Sequence, residues 1–348
     1  MRISIIVPTY NRASQLMKTL DTLAIQSFSS KAYEIIIIDN GSVDDTPKVI
    51  ENFKQKFPEH TITSYYDRTP GLLTGRHLGA QYARGEILTF VDDDIQASEN
   101  WLFTINTVFD NPEIHMAGGR CLPNYEVEPP QWVLDMYRTK DGSSTLADLS
   151  LCDYGDQPRE VRADDIWGLN LSIRRNTLYE VGGFNPDNIN PHYQAFQGDG
   201  ESGLAYKLMN RKLKCYYHPD IYVLHDVPKA RMTLEYFDRR YFYQGICDSY
   251  TRIRKTGAID RPPAAPGLME QVKGVARTVR DAIQSRPLVE LASPDYTAED
   301  LLKIRFDAMK EAGLRFHQKA AQSKVVLDWV TKPDYFNYAL PSFRQRPR

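Results

Sequence analysis

The chain has only four cysteines in 348 residues, and Cys121, Cys152, Cys215 and Cys247 stand at least 31 positions apart. No CxxC pair exists, which argues against a zinc ribbon or a redox dithiol and for scattered thiols in a reducing compartment. No apolar run approaches the roughly 20 residues needed to cross a bilayer. The opening Met1–Pro8 run is too short for a signal peptide, and polar residues follow at once. The expected location is therefore cytoplasmic, with at most a peripheral contact at the inner face of a membrane. Charge of one sign is missing too: a net charge of −2 gives no global attraction to nucleic acid. No GxGxxG follows the first apolar run, so the dehydrogenase fingerprint is absent. Internal repeats are lacking as well. Composition is otherwise ordinary, with 42% hydrophobic and 25% charged residues, which excludes wholesale disorder.

What is present is an alternation of apolar runs and helical patterns through the first 120 residues. Ile3–Val7, Glu34–Ile38, Thr61–Tyr66, Ile87–Val91 and Ile114–Ala117 read as strands, and several are apolar on both faces, as strands buried between helices must be. Leu16, Leu20 and Leu23 follow helical spacing between them, as do Val49 with Phe53 and Leu78 with Tyr82. Such alternation predicts an α/β fold with a mainly parallel sheet flanked by helices. The stretch from Cys121 to Val161, rich in Pro, Asp, Gly and Ser, reads as a long insertion or mobile loop. Patterning returns over Ile166–Arg174, Glu201–Asn210, Lys214–His218, Ile221–His225 and Thr233–Arg254. A proline-rich linker at Ala258–Gly267 then divides a domain over 1–257 from a helical C-terminal region over 258–348. There Leu268, Val272, Val275 and Val279 form a stripe, and Thr297 with Asp300 resembles a helix-starting capping pair.

The most informative segment is the buried run Ile87–Val91 ending in Asp92-Asp93-Asp94. Adjacent carboxylates raise one another's pKa unless a cation shares them. Hard divalent ions such as Mg²⁺ or Mn²⁺ take such oxygen ligands and bridge to phosphates. The carboxyl ends of parallel strands are also where α/β proteins place ligands.

At these residues the chain resembles the family 2 glycosyltransferases of the GT-A fold, over roughly residues 1–245. Asp92-Asp93-Asp94 corresponds to the family's Asp-x-Asp, so Asp92 is expected at the donor or the metal shell and Asp94 as a metal ligand. The run Ile5 to Arg12 looks like the opening strand and nucleotide-contacting turn, with Pro8 ending the strand, Tyr10 offering a flat face to a base, and Thr9 and Arg12 beside the donor. In Ile38 to Thr46, Asp39 can accept from a base N–H, while Asp45 is expected only to cap a helix. Arg76 fills the position of an Arg suited to a pyrophosphate, and His77 stands where the family often has Asn. Trp167 and Asn170 lie in the stretch similar to the acceptor-side strand, before the Gly182-Gly183-Phe184 turn. Gly198 to Leu208 occupies the place of the family's acidic catalytic motif. Alignment on Leu204 makes Glu201 the expected base, with Gly200 and Gly203 replacing two acids and Asp199 as the neighbouring candidate. His225, ending an apolar run, is expected to complete the metal site.

The resemblance implies an inverting transfer of sugar from a nucleotide-sugar donor to an acceptor hydroxyl, with a divalent metal. A sugar-1-phosphate nucleotidyltransferase is the alternative, although Pro8-Thr9-Tyr10-Asn11-Arg12 lacks the Gly-rich basic loop of such enzymes. A non-catalytic nucleotide-sugar-binding protein of the same fold is the other. The acceptor, a saccharide or a lipid-linked one, is not legible. Seven basic and three acidic residues interleaved with aromatics over Lys229–Lys255 suit either an anionic surface or a helix packed on the core.

Overall fold

A computed structural model of the protein describes residues 1–68, 71–189, 191–259 and 297–336. β1 (Ile3–Thr9), α1 (Ala13–Ala24), β2 (Tyr33–Asp39), α2 (Thr46–Lys56), β3 (Thr61–Tyr66), α3 (Leu72–Tyr82) and β4 (Ile87–Val91) alternate as the periodicities require. β1 pairs in parallel with both β2 and β4, and β3 adds in parallel to β2. Period-two geometry sends alternate residues to opposite faces. Ile6, Ile36, Ile38, Leu88 and Phe90 therefore enter one core cluster, and Ile3, Ile5, Val7, Ile35, Ile37 and Val91 the other. Pro8 does not end its strand: β1 runs on to Thr9. Its ladder to β4 stops at the pair Ile6↔Phe90, and Pro8 keeps only its register with Ile38.

The chain continues with β5 (Ile95–Ala97), α4 (Trp101–Val108), β6 (Ile114–Gly118), β7 (Cys121–Tyr125), α5 (Gln131–Leu134), β8 (Arg138–Lys140), β9 (Ser143–Leu146), β10 (Leu151–Asp153) and β11 (Arg159–Val161). Next come β12 (Asn170–Arg174), α6 (Arg175–Glu180), α7 (Gly200–Asn210), β13 (Lys214–Tyr217), β14 (Val223–Val227) and α8 (Leu234–Thr256). An eight-stranded sheet runs in the order β11-β13-β6-β12-β4-β1-β2-β3, with β12 antiparallel to β4 and β6. The architecture is the expected α/β one.

Residues 121–161 correct the sequence reading. They are not a loop but build most of a second sheet, in the order β5-β14-β7-β10-β9-β8, and β11 joins the first. Their strands are three to five residues long and β8 is exposed throughout, so no long apolar run announced them. Cys121 and Cys152 face each other across β7 and β10, and all four thiols are free. A second correction concerns α2: Asp45 makes no side-chain cap, while Asp44 accepts from the backbone N–H groups of Thr46 and Ala13.

The C-terminal helical region is present as α9 (Ala298–Ala320) and α10 (Lys324–Val330), and Thr297 with Asp300 closes a capping box. The proline-rich stretch from residue 260 and the stripe Leu268–Val279 lie outside the described residues. α9 crosses α8 with backbones touching: a Cβ on Gly313 would meet the Phe242 carbonyl at 1.9 Å, and one on Gly245 the Lys310 carbonyl at 1.9 Å. Trp329, Val330 and Tyr335 sit in the same core cluster as Ile6 and Phe90, and Trp329 Nε1 donates to the Phe196 carbonyl at 2.7 Å. Loss of one buried Trp costs roughly 3–5 kcal/mol against a total stability of about 5–15. A chain ending at residue 257 is therefore expected to lose cooperative thermal unfolding. A truncated protein that melts sharply and binds nucleotide would restore the separable second domain the linker suggested.

Candidate functional site

A cavity of about 1000 Å³ opens where β1, β2 and β4 end. On one side stand Pro8, Thr9, Tyr10 and Arg12 after β1, with Asn40, Gly41 and Val43 after β2. Tyr10 is largely exposed, its ring available to the cavity. Asp92, Asp93, Asp94 and His225 form the floor, and Arg231 with the first turns of α8 the opposite wall.

The three carboxylates have three environments. Asp93 is buried and accepts from Thr9 Oγ1 at 2.7 Å, and burial pushes its pKa up to about 7 against the pull of Arg12. Asp94 is as deeply buried, yet it stays well below the usual carboxylate range. His225 Nε2 lies 3.5 Å from its Oδ1, and Arg231 and Arg12 each reach its Oδ2 at 2.7 Å. Asp92 is raised by burial and by the nearby Asp94 and Glu201, and Arg76 offsets this from 3.3 Å.

Arg76 does not line the cavity. It is 2% exposed, and its guanidinium is divided between Asp92 and Glu201 Oε2, the latter at 3.2 Å, over the Phe184 ring. Arg76, expected at a pyrophosphate, faces these two carboxylates and not the cavity, and removing one member of such a buried cluster would leave the others uncompensated. Asp39, expected to meet a donor base, spends Oδ1 on the N–H groups of Gly41 and Ser42, and shapes the turn whose residues reach the cavity. Asn170 is corrected as an acceptor contact. It is 1% exposed, its oxygen accepts from Trp101 Nε1, and its nitrogen donates to the carbonyls of Arg120 and Ile221. Trp167 is half-buried against the second core cluster.

The glycines that replace two acids have a physical explanation. A Cβ on Gly200 would lie 2.6 Å from Asp187 Oδ2, and one on Gly203 would lie 2.4 Å from Asp199 Oδ1. Carboxylates from neighbouring positions thus fill the space that side chains at 200 and 203 would take. Asp199 is enclosed, accepting from Asn185 Nδ2 at 2.7 Å and Thr251 Oγ1 at 2.6 Å, and burial raises its pKa. Sequence reasoning missed Asp187. Burial and then Glu201 push it up to about 6, opposed by Arg76 and Arg240. Only its place just past the Gly-Gly-Phe turn could have marked it.

Among the described residues no group of three or more His, Cys, Asp or Glu side chains is arranged to hold a metal. Asp94 and His225 nevertheless lie close enough to share one ion, and His225 Nδ1 is buried without a hydrogen-bond partner. An oxygen and a nitrogen donor suit a divalent ion that takes its remaining ligands from phosphate. Arg231, bonded to both residues, occupies that place.

Residues 4–159 match the sequence family described as glycosyl transferase family 2. That match covers less than half of the chain. The chain is 23% identical over 252 residues to a glucosyl-dolichyl phosphate glucuronosyltransferase of Haloferax volcanii, a match covering 70% of this chain and 75% of that protein. It is 24% identical over 202 residues to a validoxylamine A glucosyltransferase of Streptomyces hygroscopicus, covering 53% of this chain and 47% of the relative. The match to glycosyltransferase AglE of Haloferax volcanii, 28% identical over 117 residues, covers 34% of this chain and 38% of the relative. For these last two the match spans less than half of the relative's length. A mannosyltransferase from Pyrobaculum calidifontis, solved with GDP-Man and Mn²⁺, superposes with a TM-score of 0.49 at 17% identity, covering 95% of this chain and 84% of that one.

His77 is a staple. Its Nε2 accepts from the Phe184 N–H at 3.0 Å, so Nδ1 carries the hydrogen and donates to the Tyr335 carbonyl at 3.2 Å. A Cβ on Gly183 would meet Nε2 at 2.5 Å, and Gly183 sits at φ +62°, so only glycine allows this approach. Burial pushes His77 down to about 3 and His317 down to about 4, from the usual 6.5. Unfolded, both take up a proton as the pH falls through 6.5, whereas folded they resist it until near 3 and 4. The unfolded chain then binds more protons, and stability falls with pH across that window. His77→Asn is expected to make the drop in Tm between about pH 7 and pH 5 shallower. An unchanged slope would remove His77 as a source of acid sensitivity.

Proposed function

We propose that this chain transfers a sugar from a nucleoside-diphosphate sugar to an acceptor hydroxyl with inversion, in one direct displacement. The observation that carries the reading is the line Asp92–Arg76–Glu201 beside the cavity, which sets a carboxylate next to the place of the donor phosphates. The acceptor oxygen bonds to the anomeric carbon while that carbon's bond to the diphosphate oxygen breaks. The electron pair leaves with the diphosphate, and the hydroxyl proton passes to Glu201.

Tyr10 stacks the base beside the Asn40–Val43 turn, Arg12 meets diphosphate oxygens, and Arg76 holds Glu201 in place. Asp94 and His225 would hold a divalent ion, which supplies Lewis-acid stabilisation of the departing charge when bound. The name of the Haloferax relative carries a dolichyl phosphate, and poly(ribitol-phosphate) transferases of Staphylococcus aureus also match, at 31% identity over 94 residues. A phosphate-bearing saccharide or lipid-linked acceptor fits both.

The test is to incubate purified protein with UDP-, GDP- and dTDP-sugars and follow donor consumption and the anomeric configuration of the product by proton NMR. Slow hydrolysis of one donor class and an inverted product are expected. No consumption of any donor, or a retained configuration, overturns the reading.

A further inference from the structure

The donor side of the cavity does not use all of its basic groups. The cavity's acidic lining residues are Asp92, Asp93 and Asp94. Ser150, Asn188, Tyr236, Arg239, Arg240 and Tyr243 line it as well, with no carboxylate among them. These residues belong together. Tyr236 Oη donates to the Asp148 carbonyl at 3.3 Å, which ties the first turn of α8 to the segment holding Ser150. Arg240 is charged against Asp148 and Asp187, the residues next to that segment and to Asn188. Ser150 and Asn188 both take left-handed backbone conformations, φ 55° and 46°.

Arg240 is the telling group. Its Nε is buried and has no hydrogen-bond partner, and no ion pair within 4.0 Å engages it among the described residues. Asp148 and Asp187 lie near enough to interact with its charge, yet neither accepts a hydrogen bond from its Nε. A buried guanidinium donor without an acceptor is costly, and a planar oxyanion or a phosphate satisfies it in a fork. Arg12 and Arg231, by contrast, are already placed at Asp94 on the donor side.

We propose that Arg240, flanked by Arg239, Tyr236 and Tyr243, forms a second anion subsite that takes a phosphate carried by the acceptor. The proposal rests on the transferase reading above and names the acceptor's chemical class: a saccharide joined to a phosphate ester. The phosphate anchors at Arg240 and the tyrosines flank the group beyond it. The acceptor's sugar hydroxyl is then presented towards Glu201, which neighbours Asp187.

The test measures binding by calorimetry to the full chain saturated with the nucleoside diphosphate of its donor. The probes are inorganic phosphate, hexyl phosphate and, as the neutral control, hexyl glucoside. Wild type is expected to bind hexyl phosphate saturably. Arg240→Gln should weaken that binding by about ten- to a hundredfold, and Arg240→Lys by less, with melting temperatures confirming that both variants are folded. Inorganic phosphate binding as well as hexyl phosphate identifies the phosphate alone as the recognised group, and preference for hexyl phosphate assigns the tyrosines to its ester substituent. Equal affinity of wild type and Arg240→Gln for hexyl phosphate, or displacement of the probe by the nucleotide, overturns the subsite. Failure of the chain to bind any nucleotide, with Arg240-dependent phosphate binding intact, would instead overturn the donor reading.

Discussion

Glu201→Gln is expected to lower turnover by about 10²-fold or more while leaving donor affinity near that of wild type. The amide keeps the shape of the side chain, and its oxygen still accepts from Arg76 at the place where Oε2 now lies 3.2 Å away. What it loses is the capacity to take the acceptor's proton. Glu201 is suited to this role because its side chain remains 35% exposed, whereas Asp199, the neighbouring acid, has both oxygens engaged by Asn185 and Thr251. Asp199→Asn is accordingly expected to act through stability, moving Tm more than turnover at saturating donor. Asp187→Asn should fall between the two, since it alters the charge beside Glu201 without removing the base. A larger loss of turnover from Asp187→Asn than from Glu201→Gln would move the base to Asp187. Near-normal rates in all three variants would exclude this end of α7 as its source.

The parts legible in the sequence are those that short-range physics dictates. β1, β2 and β4 were readable because a strand buried on both faces has to be apolar throughout, and Asp92 to Asp94 stood out because acids after such a strand need a counter-charge. The capping box at Thr297 and Asp300 is likewise local. The second sheet was illegible because its strands are short and partly exposed, and their pairing joins Cys121 with Cys152 and Val223, positions far apart in the chain. The role of His77 needed the Tyr335 carbonyl, 258 positions away. Gly200 and Gly203 looked like lost acids. Only the fold shows Asp187 and Asp199 filling the space in front of them. Long-range replacement of one side chain by another leaves no periodicity to read.

Asp94→Ala should abolish transfer and remove the stimulation of nucleotide binding by Mn²⁺ or Mg²⁺. Asp94 is the residue on which the basic groups of the floor converge: Arg12 and Arg231 each at 2.7 Å and His225 at 3.5 Å. Among Asp92, Asp93 and Asp94 it alone is held below the usual carboxylate range, while Asp93 is pushed up to about 7 and Asp92 is raised by burial, which suits Asp94 to ligate a cation. The fold should survive the change, because Arg12 retains Asp93 at 3.5 Å and Arg231 retains His225 at 2.8 Å. Two measurements separate the metal role from a purely electrostatic one. Nucleotide affinity is compared with and without added divalent ion in wild type and in Asp94→Ala, and wild-type transfer is followed in excess chelator. If Asp94 and His225 hold the ion, the added metal tightens nucleotide binding by wild type alone, and the chelator stops transfer. If Arg231 itself stands in the cation's place during the reaction, metal-stripped enzyme transfers at the full rate, and Arg231→Gln then costs as much as Asp94→Ala. That result would overturn metal dependence for this chain.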